Sequence, residues 1–244
     1  NTAGNYYMEL FSDPKDINTI YSMNTWAMVS TDAGKTFNGM GEKNKHVDNH
    51  ALWIDEENTD HKLMGCDGGL YETWDNCKTW NYKSNLPITQ FYRVSVDNAL
   101  PFYNIYGGTQ DNNTLGGPSR TLSASGIHNY DWFVTVGGDG FKTVIDTKDP
   151  NTVYSQWQYG GLIRYNKVTG EALDIKPQEK PGEAAYRFNW DAPLHLSYHN
   201  LQTLYFAAQK VFKSTDKGNT WTVISEDLSR GIDRNKLPVM GKVW

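Results

Sequence analysis

Apolar and polar residues alternate along this chain in short runs, and the runs come in pairs. Glu9-Leu10-Phe11-Ser12-Asp13 precedes Asn18-Thr19-Ile20-Tyr21, and Leu52-Trp53-Ile54-Asp55 precedes Lys62-Leu63-Met64. Val94-Ser95-Val96-Asp97 precedes Tyr103-Asn104-Ile105-Tyr106, and Thr143-Val144-Ile145-Asp146 precedes Asn151-Thr152-Val153-Tyr154. The last pair is Leu194-His195-Leu196-Ser197 before Gln202-Thr203-Leu204-Tyr205. A period of two over runs this short predicts half-buried strands, and no stretch sustains a helical period. The residues that open the turn inside each pair, Asp13, Asp55, Asp97, Asp146 and Ser197, are 42, 42, 49 and 51 positions apart. Five units at that spacing predict a repeat architecture of four-stranded blades.

A second ladder has a matching period. Ser30-Thr31-Asp32-Ala33-Gly34-Lys35-Thr36-Phe37, Thr73-Trp74-Asp75-Asn76-Cys77-Lys78-Thr79-Trp80 and Ser214-Thr215-Asp216-Lys217-Gly218-Asn219-Thr220-Trp221 are copies of one motif. Asp32 and Asp75 are 43 residues apart, and Asp75 and Asp216 are 141 apart, three steps of 47. The motif is expected between the third and fourth strands of a blade. There the Asp carboxylate accepts backbone N–H groups across a tight turn, Gly supplies a positive φ, and the aromatic residue packs into the sheet. Asp32, Asp75 and Asp216 therefore read as structural rather than catalytic. The second copy departs from the pattern, with Thr73 for Ser and Cys77 for Gly. The third and fourth units lack the motif, and Gly160 to Gly170 reads as a plain hairpin in its place.

Composition agrees with an all-β chain of many turns: 244 residues, 14% aromatic, with nine Trp, fifteen Tyr and 22 Gly. A net charge of −5 argues against a nucleic-acid partner. No run approaches the roughly 18 apolar residues of a membrane helix. Cys66 and Cys77 flank a predicted strand of the second unit, at opposite ends of a blade, so two free thiols are expected. The expected blade units are 5–43, 44–86, 87–134, 135–182 and 183–230, with 231–244 beginning a further strand or a linker. The chain opens without Met directly at a strand and stops in a strand-like run, so it is expected to be part of a propeller of seven or more blades.

The repeated motif resembles the Asp-box, or bacterial neuraminidase repeat, and the resemblance covers essentially the whole chain. The likeness is to sortilin-like or "glycosyl hydrolase" repeat proteins of secreted bacterial type. It is supported by His46-Val47-Asp48-Asn49-His50-Ala51-Leu52-Trp53-Ile54-Asp55, Asp67-Gly68-Gly69, Gly107-Gly108-Thr109-Gln110-Asp111-Asn112 and Tyr186-Arg187-Phe188. The resemblance implies a β-propeller and a secreted, periplasmic or cell-surface setting. It leaves chemistry open, because the fold hosts enzymes and binding modules alike.

Ligands of propellers usually meet residues just before each first strand or just after each second one. His46, Asp48 and His50 precede the second unit's first strand, and alternation would put them on one face, as a polar cluster or a metal site. Asp67, in Gly65-Cys66-Asp67-Gly68-Gly69, resembles the Asp-Gly-Gly turn that carries a catalytic carboxylate in xyloglucan-active enzymes, or it caps its own turn. Gln110, Asp111, Asn112 and Asn113, read as lying near Arg120, suit hydrogen bonding to a sugar, a peptide backbone or a calcium ion, or form a solvated loop. Asp139 lies in the glycine run 137–140, as a turn residue or a channel carboxylate. Arg187, Trp190 and Asp191 lead into the fifth unit, where Arg grips carboxylates and Trp stacks on sugars. The six arginines match no sialidase-type triad. The nine tryptophans read mostly as inter-blade packing, with Trp132 and Trp157 less clearly so.

Two functional readings follow. One is a recognition module that binds a glycan or polypeptide at the channel mouth, alongside further blades or domains of a longer chain. The alternative is a glycoside hydrolase acting on a plant- or microbial-type polysaccharide, with Asp67 as base and Asp111 or Asp139 as acid. A third possibility is an inert spacer. No metal or other cofactor is expected in any of them.

Overall fold

The computed structural model describes residues 7, 9–86, 88–239 and 242–243, and the chain divides into two compact units, 1–89 and 90–244. The protein is all-β: five four-stranded antiparallel sheets, each built as a propeller blade. Two single-turn 3-10 segments, Asn129–Asp131 and Arg234–Lys236, are the helical elements among the described residues.

The first unit holds two blades. β1 (Leu10–Ser12), β2 (Ile20–Ser22), β3 (Met28–Ser30) and β4 (Asn38–Gly39) pair in chain order. So do β5 (Asn49–Ile54), β6 (Lys62–Cys66), β7 (Gly69–Thr73) and β8 (Asn81–Tyr82). One core joins the two sheets: Tyr21, Met23, Ala27 and Met40 of the first pack with Leu52, Met64, Tyr71 and Trp80 of the second. Trp80 completes the joint by donating its indole N–H to the Gly41 carbonyl at 2.8 Å. Two lysines are buried in this unit, each held by polar partners as burial requires. Lys45 reaches Glu42 at 3.1 Å and also the Asn49 side-chain oxygen. Lys62 donates to the Asn76 side-chain oxygen at 2.8 Å and lies over the Tyr21 ring.

The second unit holds three blades, each paired in chain order. The first comprises β9 (Arg93–Val96), β10 (Asn104–Gly108), β11 (Thr114–Pro118) and β12 (Phe133–Val136). The next is β13 (Gly140–Ile145), β14 (Thr152–Trp157), β15 (Gly161–Asn166) and β16 (Ala172–Asp174). The last is β17 (Leu194–Leu196), β18 (Leu204–Ala207), β19 (Val211–Ser214) and β20 (Thr222–Val223), and β21 (Pro238–Val239) with β22 (Lys242–Val243) forms a short hairpin beyond it. Apolar cores again join neighbouring sheets: Tyr154, Leu162 and Ile175 with Leu194, Leu204 and Phe206, and Tyr106 with Ile145 and Val153. Trp221 repeats the bond of Trp80, donating to the Ile175 carbonyl at 2.7 Å. The backbones of Gly108 and Gly140 approach so closely that a Cβ on Gly108 would strike the Gly140 carbonyl. A buried ion pair, Lys167 to Asp97 at 2.8 Å, ties the first two of these blades together.

The turn openers occupy one end of every blade, and the three Asp motifs lie at that same end of theirs. The five turn-opening residues directly follow the first strand, and each donates its backbone N–H to the carbonyl of the residue that begins the second strand or immediately precedes it. The Asp13, Asp55 and Asp146 carboxylates and the Ser197 hydroxyl then accept the N–H groups two and three positions on. The three motifs join third to fourth strands with one geometry. Ser30, Thr73 and Ser214 donate to Asp32, Asp75 and Asp216 at 2.7–2.9 Å. Each Asp accepts both the N–H and the hydroxyl of the Thr four residues on, at 2.6–2.9 Å. Those bonds hold all three carboxyls down at about 2, against an ordinary 3.8. Cys77 takes the Gly position of its copy with φ at 69°. The 166–171 turn between β15 and β16 is a plain hairpin, stapled by the Asn166 side chain.

Cys66 and Cys77 are free thiols at opposite ends of β7. Burial pushes the Cys77 thiol up to about 11. The tryptophans divide more than the sequence suggests. Trp80 and Trp221 pack between blades, whereas Trp26, Trp53 and Trp74 are 61%, 49% and 56% exposed. Trp74 faces outward because its ring stacks on His61 at 3.5 Å, and the Trp53 edge meets the same imidazole.

Candidate functional site

The opposite end of the blades, where the second strand turns into the third, gathers polar groups in each unit. In the first unit, Asp48 adopts φ 62°, which interrupts the extended backbone before β5 begins at Asn49. His46, Asp48 and His50 therefore do not share one strand face, as strict alternation had implied. His46 turns back to the Val47 carbonyl and covers Gly68, where a Cβ would collide with its ring. His50 and Asp67 meet, Nε2 to Oδ1, at 2.8 Å. Asp48 accepts the Tyr7 hydroxyl, and the Tyr7 ring stacks on His50 at 5.3 Å. Burial, then the bond to Asp48, pushes the Tyr7 hydroxyl up to about 12. Asp67 sits in a two-residue turn between β6 and β7, tied to the chain before β5 by its N–H to the Asp48 carbonyl. No group of three or more His, Cys, Asp or Glu side chains is arranged to hold a metal among the described residues.

In the second unit, the loop 109–113 between β10 and β11 meets the turn 137–139 that leads into β13. Buried Asp139 accepts the Asp111 N–H at 2.8 Å, and its own N–H goes to the Gln158 side-chain oxygen at 2.9 Å. Burial raises the Asp139 carboxyl, and the Asp111 charge and side-chain hydrogen bond raise it further. Gln110 accepts the Tyr92 hydroxyl at 2.8 Å, and Asn112 donates back to the Gln110 carbonyl at 3.0 Å. Arg120 is not part of this group. β11 carries the chain to the other end of the sheet, where the Arg120 guanidinium lies over Phe102.

An aromatic row continues from the carboxyl pair. Tyr92 stacks on Phe141 at 4.9 Å, Phe141 meets Trp190 edge-on at 6.1 Å, and Trp190 meets Tyr159 edge-on at 5.0 Å. Tyr92, Tyr159 and Trp190 keep 45%, 59% and 37% of their surface exposed. Arg187 points elsewhere, bonded to Asp227 at 2.9 Å and Ser229 at 2.8 Å. Trp132 and Trp157 close over Gly117 and Gly161, which makes them packing groups.

Below the row, the first strands β9, β13 and β17 wall a cavity of about 830 Å³. Arg93 and Asp191 form an ion pair at 2.7 Å on its rim, while Lys142 and His195 line it. Sequence reasoning passed over Tyr92, Arg93, Lys142, Tyr159 and His195. Arg93, Lys142 and His195 stand on or beside the predicted first strands, and polar residues breaking those apolar runs were the available signal. Tyr159 carried none, because its loop comes near Trp190 only in the folded unit.

No protein-family model and no curated protein matches the chain. Solved structures similar to it include a GH74 enzyme from Niastella koreensis, 17% identical with a TM-score of 0.39 over 89% of this chain and 38% of that one. The GH74 xyloglucanase from Xanthomonas campestris is 15% identical with a TM-score of 0.39, over 91% and 38%. YCF48 bound to D1 peptide is 13% identical with a TM-score of 0.37, over 87% and 66%. The chain thus spans 38% of the length of either GH74 protein. At these TM-scores the likeness assigns no chemistry to this chain.

Proposed function

We propose that the chain is a segment of a secreted or surface Asp-box propeller, a recognition module that binds a glycan at the mouth of the 90–244 unit. The observation that carries this reading is the row Tyr92, Trp190 and Tyr159, partly exposed and adjoining the carboxyl and amide groups of Asp111, Gln110 and Asn112. Aromatic faces stack on the apolar faces of sugars, and planar carboxyl and amide groups hydrogen-bond their hydroxyls. A polypeptide segment is the second reading for the same surface, with the amides pairing to its backbone.

The hydrolase alternative needs two carboxyls about 5–5.5 Å or 6.5–9.5 Å apart across a glycosidic bond. Asp111 and Asp139 instead hydrogen-bond one another, which leaves no room for a sugar linkage between them. Asp67 is held by His50 at 2.8 Å. Binding without hydrolysis is therefore the better-supported reading.

The test is a polysaccharide panel read twice, by affinity electrophoresis and by reducing-end release, with Trp190→Ala and Asp67→Asn alongside. Retardation that Trp190→Ala abolishes, without release, supports the module. Release abolished by Asp67→Asn would replace it with a glycosidase. No retardation and no release on any polymer, with retention on a peptide array, would move the assignment to polypeptide.

A further inference from the structure

We infer that the cavity walled by β9, β13 and β17 takes the carboxylate of an acidic glycan, a uronate-bearing oligosaccharide, with Lys142 as its main anchor. This rests on the glycan reading above and specifies the charge of the ligand.

The cavity is cationic in a chain whose net charge is −5. Arg93, Lys142 and His195 line it against a single carboxylate, Asp191. Asp191 is already engaged, accepting both Nε and Nη2 of Arg93 at 3.0 and 2.7 Å. Lys142 is different. Its ammonium donates to the Leu194 carbonyl at 2.9 Å, a bond that uses one of its three donors, and no ion pair among the described residues neutralises its charge. Among the other partly buried lysines of this unit, Lys167 pairs with Asp97 at 2.8 Å and Lys217 with Asp146 at 3.7 Å, while Lys176 and Lys213 lie over the Phe188 and Tyr205 rings; Lys142 is the lysine that lines the cavity. A half-buried cation without such a partner, aimed into a cavity, is complementary to an anion brought by a ligand.

The rest of the cavity selects among anions. Asp191 on the rim would repel a doubly charged phosphate more than a singly charged carboxylate. The Ser95 and Thr143 hydroxyls pair side by side between β9 and β13 and can exchange bonds with sugar hydroxyls. Tyr205 and the exposed His195 ring flank the lower wall, and the Tyr92 and Trp190 faces continue the stacking surface upward. A volume of about 830 Å³ admits a short oligosaccharide.

The experiment is calorimetric titration of the whole chain with four probes: an oligogalacturonide, its methyl ester, a neutral cello-oligosaccharide and poly-glutamate. The free acid is expected to bind about tenfold more tightly than the ester, as the loss of a charge-assisted contact implies. Lys142→Gln should erase that preference and Lys142→Arg should retain it, with the thermal midpoint unchanged in both. Equal binding of acid and ester would overturn this inference and leave glycan recognition standing. A preference that survives in Lys142→Gln would overturn the role of Lys142. Binding of poly-glutamate alone, or of no probe, would overturn the inference and the glycan reading together.

Discussion

The two ends of a blade use the same residue types in opposite ways. At the end that carries the repeated motif, each motif carboxylate is served by its own turn. Asp32 is bonded within seven residues of chain, Ser30 to Thr36, and Asp75 and Asp216 repeat the pattern. At the other end, partners come from distant chain. Asp139 meets Asp111 from 28 positions away, and His50 meets Asp67 from 17. Local bonds to backbone N–H hold the motif carboxyls near 2, whereas burial beside a like charge pushes Asp139 upward. One end fastens the sheet, and the other brings titratable groups together from distant parts of the chain.

The largest effect expected of a change at the fastened end is on stability. Trp80→Ala removes a side chain that is 7% exposed and its bond to Gly41, and should cost about 3–5 kcal/mol in urea denaturation. Trp190→Ala, at the mouth, should leave the urea midpoint nearly unchanged. Comparable losses from the two would dissolve the distinction between the ends.

A smaller effect separates the ends by pH. The motif carboxyls have folded-state values near 2, below their ordinary 3.8, so their contribution is present above 3.8 and lost as pH falls toward 2. Asp139 has the opposite sign: its folded-state value is raised, so its contribution is present below 3.8 and is lost as pH rises through the raised value. Asp139→Asn keeps an acceptor for the Asp111 N–H and removes the like charge. It should raise stability at neutral pH and leave the acid limb unaltered, as read from urea midpoints across pH. A variant less stable than the parent at neutral pH would contradict the assignment of the raised carboxyl to Asp139.

The smallest effect tests the motif itself. Thr79→Val deletes the 2.7 Å hydroxyl bond to Asp75 and keeps the backbone bond at 2.9 Å. Carbon-detected NMR titration should show the Asp75 carboxyl rising part of the way from about 2 toward 3.8, with Asp32 and Asp216 unmoved. An unshifted Asp75 would mean that the backbone bond alone sets its value.

The blade architecture was legible because it is written in short range. The five turn openers and the three Asp motifs are closed loops of four to eight residues, so spacing alone located them, and each loop places its neighbours on adjacent strands. The mouth was legible only in part. Asp67, Asp111 and Asp139 were found because glycines and amides mark turns, but their partners were not marked. Asp48 escaped the alternation rule because a positive φ is a property of the folded loop that the residue name does not announce. Arg120 was misplaced for a simpler reason: one intervening strand reverses the end of the sheet at which a residue emerges.

By itself, the sequence determined the all-β class, the four-stranded repeat, the location of the fastening turns and the free state of both thiols, since each depends on contacts a few residues long. The tertiary structure alone decided which tryptophans bridge blades, the joining of Asp111 to Asp139, the aromatic row from Tyr92 to Tyr159, and the placing of Lys142 in a cavity. These are meetings between groups 28 to 98 residues apart, from Asp111 with Asp139 to Arg93 with Asp191. Packing of whole sheets sets such meetings, and no local period encodes them.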